Sequence, residues 1–376
     1  MSNLTALRPE RPPLAAHDRP IGTRILAAMA TPGGAVFVLV AVLLIANISA
    51  NPNFGDPGFL IRFIGRVAPL AIVALGQYFV IVAGEFDLSM AAVISLQVVL
   101  ASNLIGDDTG RILPVMVLML VLGAVVGVVN GLATTILQVP SFIVTLGMML
   151  ALNGIVDQLT GGSTRENPAD EFREIGRGGF EDVPVVEILP YSVLILVGLC
   201  IAGAWLMRRP FGRALIAAGD NPATASYAGA SLIRLKTQAF VLSSLSATVA
   251  GILLVGYAGA SYKIGTGYEF QAITAVVLGG VLLGGGRGWV LSAAAGAFAL
   301  ELLVTLLNSL EVIETEFRTT VQGVIVIVAV AVAGRAWQAG RKPSRRRRTP
   351  TDPTDLGDNR TTHKPGPGTT TGEVDA

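Results

Sequence analysis

A single cysteine, Cys200, stands among 376 residues. One thiol cannot build a disulfide framework or a cysteine metal site, and within its apolar run it reads as a small packing residue. Histidine is almost as scarce. His17 and His363 both lie in polar terminal stretches, which excludes a buried histidine proton relay. Charge is sparse as well: 14% of residues are Asp, Glu, Lys or Arg, against about 25% in soluble domains. The net charge of +1 gives no whole-chain attraction for nucleic acid. A phosphate-cradling P-loop is also missing. The run GGGRG at Gly284–Gly288 has no Lys-Ser or Lys-Thr after it, so it lacks the groups that would hold nucleotide phosphates.

What is abundant is apolar and small. Hydrophobic residues make up 52% of the chain, with 44 glycines and a mean hydropathy of +0.64. A membrane span needs about 20 apolar residues, and small residues let membrane helices approach closely. The expected fold is therefore all-α, a polytopic membrane helix bundle with some broken or re-entrant helices. About ten segments have suitable composition. They are Ala35–Ala50, Leu60–Ala83, Leu88–Ile105, Ile112–Leu137, Phe142–Leu159, Tyr191–Met207, Thr237–Ala258, Phe270–Leu283, Trp289–Leu310 and Thr319–Ala333. The first and eighth are short and are the ones expected to be broken, tilted or miscounted.

Loop charges predict the orientation. Arg19 and Arg24 precede the first span, and Arg335, Arg341, Lys342 and Arg345–Arg348 follow the last. Residues 208–236 carry Arg208, Arg209, Arg213, Arg234 and Lys236 against Asp220 alone. Residues 160–190 are acidic, with Glu166, Asp170, Glu171, Glu174, Glu181, Asp182 and Glu187. Basic loops stay inside, so the expectation is two cytoplasmic termini, a cytoplasmic 208–236 loop and an extracytoplasmic 160–190 loop. The domain plan follows: a cytoplasmic arm over 1–34, a transmembrane domain over 35–335 and a tail over 336–376. The tail is rich in Pro, Thr, Gly and Asp, a composition expected to stay disordered. Its RKPSRRRR run reads as a flank for anionic lipid ahead of a nucleic-acid signal.

Against this background VIVAGEFDLSMAAVISL, Val80–Leu96, is anomalous. Carboxylates in hydrocarbon cost about 2.5–3.5 kcal/mol each on insertion scales, yet Glu85 and Asp87 sit in its middle. The expectation is a tight turn at Gly84–Ser89, in which Asp87 caps the following helix or contacts a polar pathway. A second glycine-rich turn, with Gly284, Gly285 and Gly286, occurs in LGGVLLGGGRGWV, Leu278–Val290. The stretch Tyr78–Leu100 is similar in texture to Val277–Leu300, which hints at two related halves.

The long basic loop RRPFGRALIAAGDNPATASYAGASLIRLK spans Arg208–Lys236. Pro210 and Gly212 break the preceding helix. Gly219, Asp220, Asn221 and Pro222 form a turn in which Asn221 caps a short helix and Pro222 takes its first position. Gly229 ends that helix. Its small residues suit either an ordinary loop helix or a ball that docks in a partner's groove.

This loop, with Phe211-Gly212-Arg213 followed by Gly219, Asn221, Ala225 and Gly229, resembles the coupling segment of bacterial ABC transporter permeases of the ribose, xylose and galactose type. GEFDLSMAAVISL is similar to that family's G-G-x-D-L-S-V-G motif, with Glu85 where glycine is usual and Met90-Ala91 where Val-Gly is usual. Asn130-Gly131 with VPSFIVTLGMMLALNGI, and GTGYEFQAITAVVLGGVLLGGGRG at Gly265–Gly288, also match family stretches in order. The resemblance implies a non-enzymatic permease subunit in the inner membrane, importing a monosaccharide or polyol. It implies partnership with cytoplasmic ABC ATPase subunits, an extracytoplasmic sugar-binding protein and a second permease chain. ATP and Mg would be bound by the ATPase, leaving no cofactor or metal in this chain. The segment from Phe211 to Gly229, including Ala228, would take up ATPase motion, and Gly265–Glu269 would face the binding protein. Gln77, Asp87, Asn130, Thr145, Asn153 and Glu301 are pathway candidates. Each also reads as an ordinary interhelical hydrogen-bonding group. The competing reading is a secondary transporter driven by an ion gradient, with Glu85, Asp87 and Glu301 as its carboxylates.

Overall fold

The computed structural model describes residues 32–163 and 166–309, together with Thr320, Gly323, Val324 and Ile327. Residues 1–31 of the N-terminal arm, most of the tenth span and the tail lie outside the described residues. Helix α1 is Pro32–Ala50 and α2 is Pro57–Val82. These are followed by α3 (Met90–Ile105), α4 (Ile112–Ile136) and α5 (Ser141–Thr160). After α6 (Asp170–Arg177), a hairpin pairs β1 (Gly179–Val183) with β2 (Glu187–Pro190). Helices α7 (Tyr191–Arg208), α8 (Pro210–Asp220), α9 (Pro222–Tyr227) and α10 (Leu232–Ala258) come next. The order closes with α11 (Tyr268–Leu278) and α12 (Val290–Ser309).

Among the described residues, 7 helices are long and apolar enough to cross a membrane. Two more apolar helices, α3 and α11, are shorter. The structure is a polytopic helical bundle in which the third and eighth expected spans form the shorter apolar helices α3 and α11. Of the two spans marked as short, α1 is complete, whereas the eighth stops at Leu278 and does not reach Leu283. The acidic loop, expected only as a loop, folds into α6 and the β1–β2 hairpin. Arg177 bridges Asp170 and Glu174 on α6, and residue positions Gly179 and Phe180 pair with Pro190 and Leu189.

The core forms around α2 and α10, the two span-length helices with the largest buried share among the described residues. Both are rich in Ala, Gly, Val and Leu, and both are covered on several sides. On α10 the neighbours include α2, α3, α4 and α6. Helix α2 starts at Asp56, whose carboxylate accepts from Phe59 N–H at 2.7 Å, with Pro57 at its first position. The α4 stripe Gly123, Gly127 and Gly131 faces α10. A Cβ at Gly127 would lie 2.5 Å from Val241 Cα, and one at Gly131 would lie 2.5 Å from Thr237 Cα. Between membrane helices close approach replaces the hydrophobic effect as the source of association, so this stripe serves packing inside the chain.

Candidate functional site

The site begins where α2 stops. Gly84 has φ +82. Its N–H donates to Ile81 O at 2.9 Å, and Glu85 N–H donates to Val80 O at 3.0 Å. These two bonds make a Schellman cap, which demands a left-handed residue that glycine supplies without strain. The chain then runs outside any helix or strand through Phe86 and Asp87 to α3. Helix α5 braces this stretch. Phe86 N–H donates to Ser141 Oγ at 3.0 Å, and Leu88 N–H donates to Thr145 Oγ1 at 3.1 Å.

Asp87 is fully buried. Its Oδ1 accepts from Ser89 N–H at 2.9 Å and from Ser89 Oγ at 2.6 Å, and its Oδ2 accepts from Ser243 Oγ on α10 at 2.6 Å. Asn130 Nδ2 on α4 donates to Ser89 Oγ at 2.9 Å. A buried carboxylate is costly unless hydrogen-bonded, and this network gives it three donors. The expected cap on α3 takes a different form. Ser89 is the first flanking residue of that helix and makes no side-chain capping bond; Asp87 Oδ1 accepts only from Ser89, through its N–H and its hydroxyl, and Oδ2 turns toward α10. Nor does the stretch stay at one end of the bundle. Ser243 lies about 16 Å along α10 from Leu232 at 1.5 Å per residue, so the segment from Gly84 to Ser89 climbs from the α8–α9 end into the bundle. That climb is why α3 is short.

Helix α11 is short for a matching reason. Gly265 is buried against Ala91 and Ser95 of α3, and its N–H donates to Ser95 Oγ at 3.2 Å. Gly265 and Glu269 are buried while Thr266 between them is exposed, so the stretch expected to face the binding protein is anchored in the bundle at both ends. The start of α11 meets the start of α3 in the interior.

The second glycine turn closes against the first. Gly286 N–H donates to Val82 O at 2.9 Å, and a Cβ on Gly285 would sit 2.9 Å from Gly84 Cα and 3.1 Å from Gly219 O. Gly284 faces open space. Gly219, expected in a turn, lies in the last turn of α8 and is buried. A Cβ there would collide with Val82 O and lie 2.6 Å from Gly286 N. Three glycine positions from separate parts of the chain thus meet at one point.

Beyond this junction the loop forms two helices. Gly212 sits inside α8, which begins at Pro210; a Cβ on Gly212 would collide with Met207. Phe211 is half-buried, while Arg213 and Asp220 are exposed. Asn221 caps α9, accepting from Thr224 N–H at 3.0 Å, with Pro222 first in the helix. Gly229, at φ +86, closes it: Ala230 N–H donates to Ala225 O and Gly229 N–H to Ser226 O. Ala225, expected to be available for docking, is only 4% exposed and faces the core. Ala223 and Ala228 are exposed, and Tyr227, which the sequence reading passed over, is 93% exposed.

The remaining candidates are dispersed. Gln77 is fully buried on α2, and neither of its amide atoms has a hydrogen-bond partner. Asn130 Oδ1 is also unpartnered. Asn153 is exposed on α5. Glu301 lies half-buried on α12, within electrostatic range of Arg66 on α2. The structure brings Asp87, Asn130 and Thr145 together around the break, and leaves Asn153 and Glu301 outside it. Ser243 and Lys236 were missed as site residues. The serine-rich FVLSSLSAT run of α10 was the available signal for Ser243.

Comparison with known proteins gives a consistent result. The family model described as "Branched-chain amino acid transport system / permease component" matches residues 59–330. The ribose import permease protein RbsC of Escherichia coli (strain K12) is 32% identical over 305 residues, covering 79% of this chain and 91% of that protein. The L-arabinose ABC transporter permease protein AraH of Azospirillum brasilense is 30% identical, over 78% of this chain and 85% of that protein. The autoinducer 2 import system permease protein LsrC of Klebsiella pneumoniae is 29% identical, over 81% and 86%. No solved structure matches.

Proposed function

The chain belongs to this family of transport-system permease components, and from that premise we propose that it forms the membrane pathway of an ATP-driven importer for a monosaccharide or related small polyol. The observation that carries the proposal is the similarity to ribose and arabinose permeases along most of both chains. It favours an ATP-driven importer over a gradient-driven carrier.

On this reading two permease chains, two ABC ATPase subunits and an extracytoplasmic binding protein form the complex. ATP and Mg belong to the ATPase. The α8–α9 segment lies on the cytoplasmic side with both termini, and the acidic α6–hairpin region faces outward; the charge asymmetry supports this. The permease alternates between two openings, biased by ATP on one side and the loaded binding protein on the other. The buried groups around Asp87, with the unpartnered amide of Gln77 and Asn130 Oδ1, offer hydrogen bonds to sugar hydroxyls once the bundle opens. Burying these groups without partners is costly in the closed bundle, and a polyol supplies both donors and acceptors.

The test is uptake of labelled pentoses, hexoses and inositols by cells with and without the gene. Gene-dependent uptake of one of them, abolished when ATP is depleted and retained when the ion gradients are collapsed, supports the proposal. Uptake that follows the ion gradient overturns it.

A further inference from the structure

We propose that Lys236 and Glu85 are positioning residues for transport: their ion pair is the point through which displacement of α8–α9 acts on the segment that carries Asp87. The inference rests on the importer reading above. Lys236 Nζ donates to Glu85 Oε1. The two side chains are 17% and 13% exposed, so the pair is shielded from water. Glu85 stands beside Gly84 at the start of the break, and Lys236 lies in the second turn of α10, just after α9 and the Ser231 position that opens α10.

Helix α10 grips the break at two places. Lys236 holds Glu85, and Ser243 holds Asp87 at 2.6 Å. From Lys236 to Ser243 is two turns, about 10 Å along the axis, so both grips leave the same face of α10. On the other side, Gly219 of α8 presses on the Val82 carbonyl and on Gly286 with no side chain between them. A shift of α8–α9 therefore reaches the break by two routes. One is backbone contact at Gly219. The other is rotation or translation of α10 acting through the lysine. The first route is steric and can only push. The ion pair can also pull, because separating shielded opposite charges leaves each without compensation. A bistable element needs a contact that differs between its two states, and the pair is placed to be made in one and broken in the other.

The experiment uses the full importer in proteoliposomes, with its ATPase and loaded binding protein, and measures both uptake and ATP hydrolysis. For Lys236→Met and Glu85→Gln, uptake per ATP hydrolysed should fall about tenfold or more, since each leaves one partly buried charge without its partner. The exchange Glu85→Lys with Lys236→Glu, and the conservative Lys236→Arg, should restore most of that ratio. A general structural defect lowers uptake and hydrolysis together and is not rescued by exchange. Should neither charge-removing variant insert, the exchange and Lys236→Arg still decide: a coupling ratio in both close to that of the unaltered protein supports the pair, and a collapsed ratio in either overturns it. Unchanged uptake per ATP in the two single variants also overturns it. Failure of the importer reading is distinguishable, because it appears in the unaltered protein as uptake that needs no ATP.

Discussion

The Ser243 hydroxyl on α10 donates to Asp87 Oδ2 at 2.6 Å, joining a largely buried spanning helix to a carboxylate that no helix carries. Asp87 has no cationic partner among the described residues within ion-pairing distance, so hydroxyl and amide donors alone hold it. Ser243→Ala removes one of them and should destabilise the protein by about 1–3 kcal/mol, the cost of leaving a buried acceptor short of a partner. Asp87→Asn keeps the shape while exchanging an acceptor for a donor that faces Ser243 or Ser89. Transport should fall by at least tenfold with the ATPase still attached on purification. Normal uptake by Asp87→Asn would remove the break from the pathway.

Packing between α4 and α10 depends on missing side chains. Gly127→Leu places atoms where Val241 Cα and the Phe240 carbonyl already lie. Overpacking of this kind costs about 1–3 kcal/mol and more when backbone must move. The expected result is a lower unfolding temperature in detergent. The same change at Gly147 on α5, where nothing lies within 4 Å, should leave the temperature of the isolated chain unaltered. Equal effects at the two positions would contradict the α4–α10 contact.

Orientation can be read with two cysteines in a Cys200→Ser background. Glu171 on α6 and Tyr227 on α9 are both exposed, so both positions accept a reagent. An impermeant maleimide added to intact cells should label Glu171→Cys and spare Tyr227→Cys; inverted membrane vesicles should reverse the pattern. Labelling of both from one side ends the proposed topology.

Much of the bundle was legible because a span announces itself by composition: α4, α5, α7 and α10 lie within a few residues of their expected limits. The α9 caps were legible for a local reason, since Asn221, Pro222 and Gly229 act on their own neighbours. What the sequence hid is set by contacts between distant segments. That Gly219 is buried depends on Val82 and Gly286, neither of which is near it in the chain. Ala225 looks like its exposed neighbours in sequence and differs only by facing the core. The depth of Asp87 required knowing which turn of α10 it meets. Glu85 was visible as an intruding charge, but its partner Lys236 had been counted among the loop cations.

The α9 surface gives the last prediction. Tyr227 ends this helix, and the residue is 93% exposed. An aromatic side chain left in water at the tip of a basic segment stabilises nothing inside the chain, and aromatic residues are enriched where interfaces draw their energy. With the proposed ATPase as occupant, Tyr227→Ala should remove a contact worth about 2 kcal/mol or more. The ATPase should then dissociate during purification and uptake should fall accordingly. Expression, insertion and unfolding temperature of the permease should stay as they were. Ala225→Glu is the contrasting variant. It drives a carboxylate into the packed side of α9, where an unpaired buried charge costs several kcal/mol, so its defect should appear as lost folding of the segment even without the ATPase. If Tyr227→Ala keeps its ATPase and its uptake, the exposed face of α9 is not where the ATPase binds, and the docking surface must be sought on the exposed side of α8, beginning with Arg213.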